Sequence, residues 1–183
     1  MQAEHVYARI LDFYARQMRT IDEGDAVGWA ATFTEDGVFA SNGLPAPVRG
    51  RAAIEAGTLA NLAARRAEGV AHRHLLSALT VEPRGADEVF ARSYVLVLEN
   101  RAGRPPQPFV STVLEDVLVR RDAAADWQVR SRSVLRDDVR APATPAAQDF
   151  APQDFVPQDF VPQDFVPQDA RTSGLRTSGT GDA

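Results

Sequence analysis

The sequence predicts an α+β domain, three N-terminal helices packed in a curved antiparallel sheet, followed by an acidic tail built of repeats. Three observations predict it. Apolar residues recur at helical spacing through residue 68, alternation at period two begins at His72, and the composition breaks after Asp138.

The first helix follows from Val6, Ile10, Phe13, Tyr14, Gln17, Met18 and Ile21, which fall on one helical face. Asp22-Glu23-Gly24-Asp25 breaks it, and Asp25 is a good N-cap for a short helix through Trp29 and Phe33. Thr34-Glu35-Asp36-Gly37 has turn chemistry and leads into the β-prone Val38-Phe39-Ala40. Ser41 to Gly50, with Pro45 and Pro47, reads as a loop. Arg51 to Glu68 is a third helix, with Gly69 as its C-cap. Four strands are expected at about 72–83, 88–100, 108–121 and 127–137, separated by turn residues. Long strands curling around helices form a cone, and its open end is a natural pocket.

Residues 1–140 are therefore the domain, and 141–183 a disordered tail. Five pentamers, AAQDF, APQDF, VPQDF, VPQDF and VPQDA, span 146–170, and Arg-Thr-Ser-Gly recurs at Arg171 and Arg176. A five-residue period matches neither a helix nor a solenoid unit, and proline removes backbone donors. The near-identical copies fit a tandem duplication with no selected role. The competing reading is a multivalent docking tail in which each Phe binds weakly.

The chain carries a formal net charge of −5 and a pI of about 5.2, which argues against nucleic acid as a partner. From Gln148 onward six Asp face two Arg, so the tail holds most of that charge. Cysteine is absent, excluding disulfides, thiolate metal sites and a cysteine nucleophile. No apolar run is long enough to span a membrane, and the first residues lack a secretory pattern, so a cytoplasmic location is expected. Every basic residue is Arg, a codon-bias signature of a high-GC genome such as an actinomycete's. The absence of Lys also removes Schiff-base chemistry.

No Gly-rich phosphate loop, GxSxG elbow or HExxH motif is present. His72 and His74 share a strand face, but no third ligand has metal spacing; with a carboxylate from another strand they are the set to watch. In Val113-Leu114-Glu115-Asp116-Val117-Leu118 the adjacent acids must point to opposite faces. One of Glu115 and Asp116 therefore faces the pocket, and the alignment of strand ends favours Asp116. A carboxylate in an apolar cone has a raised pKa and can serve as a base. Tyr14 can donate a hydrogen bond into the pocket, Trp29 and Phe33 fit its wall or the core, and Ser131 shares a face with Trp127 and so fits the mouth. Asp36, after the second helix, suits backbone capping better than catalysis. Both faces of residues 89–98 are apolar enough to be covered, so a homodimer through the sheet is expected.

The stretch from Phe13-Tyr14 through Ile21-Asp22, Trp29, Phe33 and Asp36 to Phe39 resembles the opening of SnoaL-like proteins of the nuclear transport factor 2-like superfamily. Gly50-Arg51-Ala-Ala-Ile54, Arg73-His74-Leu-Leu-Ser and Trp127-Gln-Val-Arg-Ser-Arg follow in the family's order, and the likeness covers about residues 4–138. The resemblance implies the cone-like fold and, in the enzymes, acid–base chemistry in an apolar cavity without metal or cofactor. It points to a polyketide cyclase or scytalone dehydratase-like enzyme of antibiotic biosynthesis, acting on a hydrophobic small-molecule substrate, an aromatic polyketide intermediate. The alternative it implies is a non-catalytic assembly protein similar to the β subunit of ring-hydroxylating dioxygenases. His74 matches the acid/base His of the dehydratase relatives; the competing reading is a His that only bonds across the helix–sheet seam. Two departures stand out. The acid that SnoaL cyclases carry on the last strand is replaced by Arg130-Ser131-Arg132-Ser133, and the dehydratases' second His is missing near Ser93-Tyr94.

Overall fold

A computed structural model describes residues 2–139, with side chains from His5 onward; the pentamer repeats lie outside the described residues. The elements run α1 (Gln2–Asp22), α2 (Ala26–Ala31), β1 (Phe33–Ser41), β2 (Val48–Arg49), α3 (Arg51–Ala67), β3 (Val70–Pro83), β4 (Glu88–Arg101), β5 (Gln107–Val119) and β6 (Gln128–Arg136). One six-stranded sheet has the order β2-β1-β6-β5-β4-β3, and every neighbouring pair is antiparallel except the parallel pair β1–β6.

Burial explains the helices. Ile10, Phe13, Tyr14, Gln17, Met18 and Ile21 form the buried stripe of α1, against the inner side of the sheet. The Asp25 side chain accepts from the Gly28 N–H at 2.8 Å and caps α2. α3 ends with Glu68 as its cap, and Gly69 follows at φ +66°, the left-handed position that glycine fills without strain. Among the described residues no helix is long and apolar enough to cross a membrane.

Three local expectations are corrected. α2 stops at Ala31, so Phe33 opens β1, and Thr34 to Gly37 lie within that strand rather than in a turn. The turn-prone residues are absorbed by an irregularity: between the pairs Phe33–Val129 and Val38–Ser131, β1 advances five residues and β6 only two. Gly37 is required there, since a Cβ would lie 2.9 Å from the Thr34 carbonyl oxygen. Within the predicted loop, Val48–Arg49 pair with β1 as the short edge strand β2.

Register fixes the two faces of the sheet. On β4, Val89, Ala91, Ser93, Val95 and Val97 are buried beneath the helices. Their partners Leu76 and His74 on β3, and Leu114 and Asp116 on β5, share that inner face; Arg132 on β6 pairs with Asp116 and joins them. The opposite face carries exposed Leu75, Tyr94, Leu96 and Leu135.

Candidate functional site

Asp116 and Glu115 separate as alternation demands. Asp116 is fully buried, while Glu115 turns outward beside Arg92. Asp116 is not alone, however. Arg132 grips it as a fork, Nε to Oδ1 at 2.9 Å and Nη2 to Oδ2 at 2.7 Å, and the Tyr14 hydroxyl donates to Oδ2 at 2.8 Å. Arg132 Nη2 also donates to Gln17 Oε1 at 2.6 Å. Gln17 Nε2 donates onward to Thr32 Oγ1, also at 2.6 Å, and the Thr32 hydroxyl donates to the Trp29 carbonyl. A continuous polar chain thus links β5, β6, α1 and α2 inside the apolar core.

This network corrects the reading of Asp116 as an isolated base. Its oxygens are committed to a guanidinium and a phenol, the arrangement of a buried ion pair that fixes packing. Burial alone would pull the Arg132 guanidinium down, but the charge and hydrogen bonds of Asp116 outweigh it and hold it above its ordinary value. Burial, then the Asp116 charge, push the Tyr14 phenol well above its ordinary value. Tyr14 therefore keeps its proton and spends it on Asp116, not on a ligand.

The second cluster sits where α1 ends against β3. His74 Nδ1 lies 2.6 Å from Asp22 Oδ1, and the carboxylate also accepts the His74 backbone N–H at 3.1 Å. Both side chains are mostly but not wholly buried, 21% and 15% exposed. A carboxylate against Nδ1 assigns that nitrogen the proton and leaves Nε2 as the acceptor of the ring. The bond across the helix–sheet seam is thus present, yet it occupies only one ring nitrogen.

His72, two residues earlier on the same face, is set differently. Arg65 Nη1 lies 2.7 Å from His72 Nδ1, and because a guanidinium only donates, that nitrogen is the acceptor and the ring is neutral. Burial first, then the neighbouring Arg65 charge, lower the His72 pKa to about 4. Its ring packs on Phe109 at 4.6 Å between centroids.

A cavity of about 520 Å³ opens beside this cluster, with Asp22, Arg65, Arg66, His72, Asn100 and Arg101 in its wall. That volume lies within the range of small-ligand sites. A second, of about 670 Å³, lies between α1, α2 and the turn before β6, with Gln17, Thr32 and Trp127 among its walls. Trp29 and Phe33 line neither; they pack edge-to-face at 4.9 Å in the core. Ser131 is corrected to the outer face. It pairs with Val117 and Val38, because the bulge between Val117 and Leu118 reverses the alternation expected from Trp127. Among the described residues, no three His, Cys, Asp or Glu side chains converge as metal ligands would.

In the sequence Asp22 reads as a helix breaker, and no local pattern marks Arg65 or Arg132. Asp22 follows Ile21 at the end of the apolar stripe, so its place beside the sheet was in principle readable; its partner, 52 residues away, was not.

The comparisons agree with this architecture. The model of the SnoaL-like domain matches residues 4–133, and the chain belongs to that family. Among solved structures it is similar to ActVI-ORFA from Streptomyces coelicolor: 34% identity over 75% of this chain and 98% of that one, with a TM-score of 0.67. A Catenulispora acidiphila protein in complex with S-DNPA is 35% identical over 73% of this chain and 95% of its own, with a TM-score of 0.64. A more distant likeness is the beta subunit of a putative aromatic-ring-hydroxylating dioxygenase from Novosphingobium aromaticivorans; at 22% identity over 76% and 94% of the chains, and a TM-score of 0.60, it shows the fold alone. No curated protein matches the chain.

Proposed function

We propose that the chain is a cofactor-independent cyclase or dehydratase that acts on an aromatic polyketide intermediate by acid–base catalysis at His74. The observation that carries this reading is the His74–Asp22 pair, whose Asp22 lines a ligand-sized cavity. In such a site Nε2 of His74 takes a proton from the carbon beside a carbonyl, and Asp22 stabilises the imidazolium that results. In a dehydration the same proton then returns to the departing hydroxyl, which leaves as water. The ring of His72, its Nδ1 occupied by Arg65, carries its proton on Nε2 and lines the same cavity, where it is a neutral donor for the developing enolate oxygen. Asp116 serves as a positioning residue, holding Tyr14 and Arg132 so that α1 and the sheet keep their spacing.

The substrate class follows the family resemblance, and the relative that holds S-DNPA supports a small-ligand role here. The exposed apolar side chains Leu75, Tyr94, Leu96 and Leu135 on one sheet face support a homodimer through the sheet, and a cytoplasmic location accords with both. The test is His74→Ala in the native pathway. Product is expected to fall by roughly 10²–10⁴-fold, the usual contribution of a general acid–base group. Unchanged product and stereochemistry would instead favour the assembly-subunit reading.

A further inference from the structure

Arg65 lines the cavity beside His72. It is half-buried, yet its hydrogen bonds go to two neutral acceptors, His72 Nδ1 at 2.7 Å and the Asn61 carbonyl at 3.4 Å. Among the described residues no carboxylate lies within ion-pair distance of it. The acids nearby are otherwise placed: Asp22 holds His74, Glu99 holds Arg101 at 2.7 Å, and Glu23 is exposed to solvent. Burial lowers the Arg65 pKa, and the Asp22 charge only partly offsets it. A partly desolvated guanidinium without an anion is costly, and the cost is recovered when an anion arrives.

The geometry around it suits one. His72 is braced on Phe109 and holds Nη1 in place, leaving further donors of the guanidinium unspent. Arg66 and Arg101 line the same cavity, and Ile21, Leu62 and Val70 supply apolar wall. On the footing that this cavity is the substrate site, we propose that Arg65 binds a carboxylate of the substrate, whose apolar body fills the remaining space beside Asp22 and His72. The substrate class narrows accordingly, to aromatic ketones or alcohols that carry a free acid. Arginine is suited to this because its planar fork meets both carboxylate oxygens, and the bond to His72 fixes its orientation beforehand.

The experiment measures calorimetric binding of 2-naphthylacetate and of its neutral amide to the full chain. The acid is expected to bind at least about tenfold more tightly, the effect of one charge-assisted contact. In Arg65→Gln that preference is expected to collapse to within about threefold, with amide affinity unchanged. His74→Ala is expected to keep the preference even if it abolishes turnover, so a failure of the catalytic reading is distinguishable from a failure of this one. Raising NaCl on the wild-type chain gives a readout independent of any variant, and the acid's advantage is expected to shrink with salt. An acid that binds no better than its amide, or not at all, overturns the proposal. So does a preference that survives Arg65→Gln.

Discussion

Removing the charge of Asp116 strands Arg132, which is 4% exposed and has no other acid within reach among the described residues. Breaking a buried pair from one side typically costs about 3–5 kcal/mol, because a desolvated charge is left behind. Asp116→Asn is therefore expected to lower unfolding free energy by about that amount in urea titration. Replacing both partners, as Asp116→Leu with Arg132→Met, is expected to recover most of the loss. A single variant costing under about 1 kcal/mol would mean the network does not fix the core. His72 gives a prediction of the opposite kind. Its folded pKa of about 4 lies below the ordinary value of 6.5. Between those values the unfolded chain binds a proton that the folded chain refuses, so stability falls as pH drops from about 6.5 to 4 and is retained above that window. His72→Gln, whose carbonyl oxygen can still accept from Arg65, is expected to flatten the slope of melting temperature against pH there. Solvent exposure of the ring keeps the effect modest.

At the scale of elements, the backbone offers one position of avoidable strain. Ala78 has φ +50° in the irregularity where β3 slips against β4 between Ser77 and Thr80, and its side chain is exposed. A left-handed alanine costs about 1–2 kcal/mol, of which glycine returns part through its freer unfolded chain. Ala78→Gly is expected to raise the urea midpoint by the equivalent of up to about 1 kcal/mol, and Gly50→Ala, at φ +83°, to lower it. A destabilised Ala78→Gly would mean the bulge does not need that conformation. These irregularities also mark the limit of what the sequence makes legible. The strands of residues 72–137 are readable within a few residues, because alternation and turn chemistry are local signals. So is the inward turn of Asp116. The partnership of Asp116 with Arg132, the Asp22–His74 bond and the parallel pairing of β1 with β6 are not, since each joins residues far apart in the chain. Ser131 fails for a sharper reason: period-two counting from Trp127 is sound until a single bulge reverses the face.

For the whole molecule, the question is how much of the chain the fold requires. The buried hydrophobic cluster runs from Ile10 to Val129, and the family match ends at residue 133. Among the described residues, nothing after β6 supplies a member of that cluster. Truncation after Arg140 is therefore expected to leave the thermal midpoint within about 2 °C, since even 1 kcal/mol would move a domain of this size by about 4 °C or less. The same cut removes six Asp and two Arg, taking the formal net charge from −5 to −1. A domain near neutrality loses the long-range repulsion that keeps folded assemblies from clustering. The truncated chain is thus expected to self-associate more readily at low ionic strength while melting at the same temperature. Light scattering and a melting curve on the same sample separate the two effects. A midpoint lowered by more than about 5 °C would assign the tail a part in the fold, and unchanged scattering would deny its charge any role in keeping the copies apart.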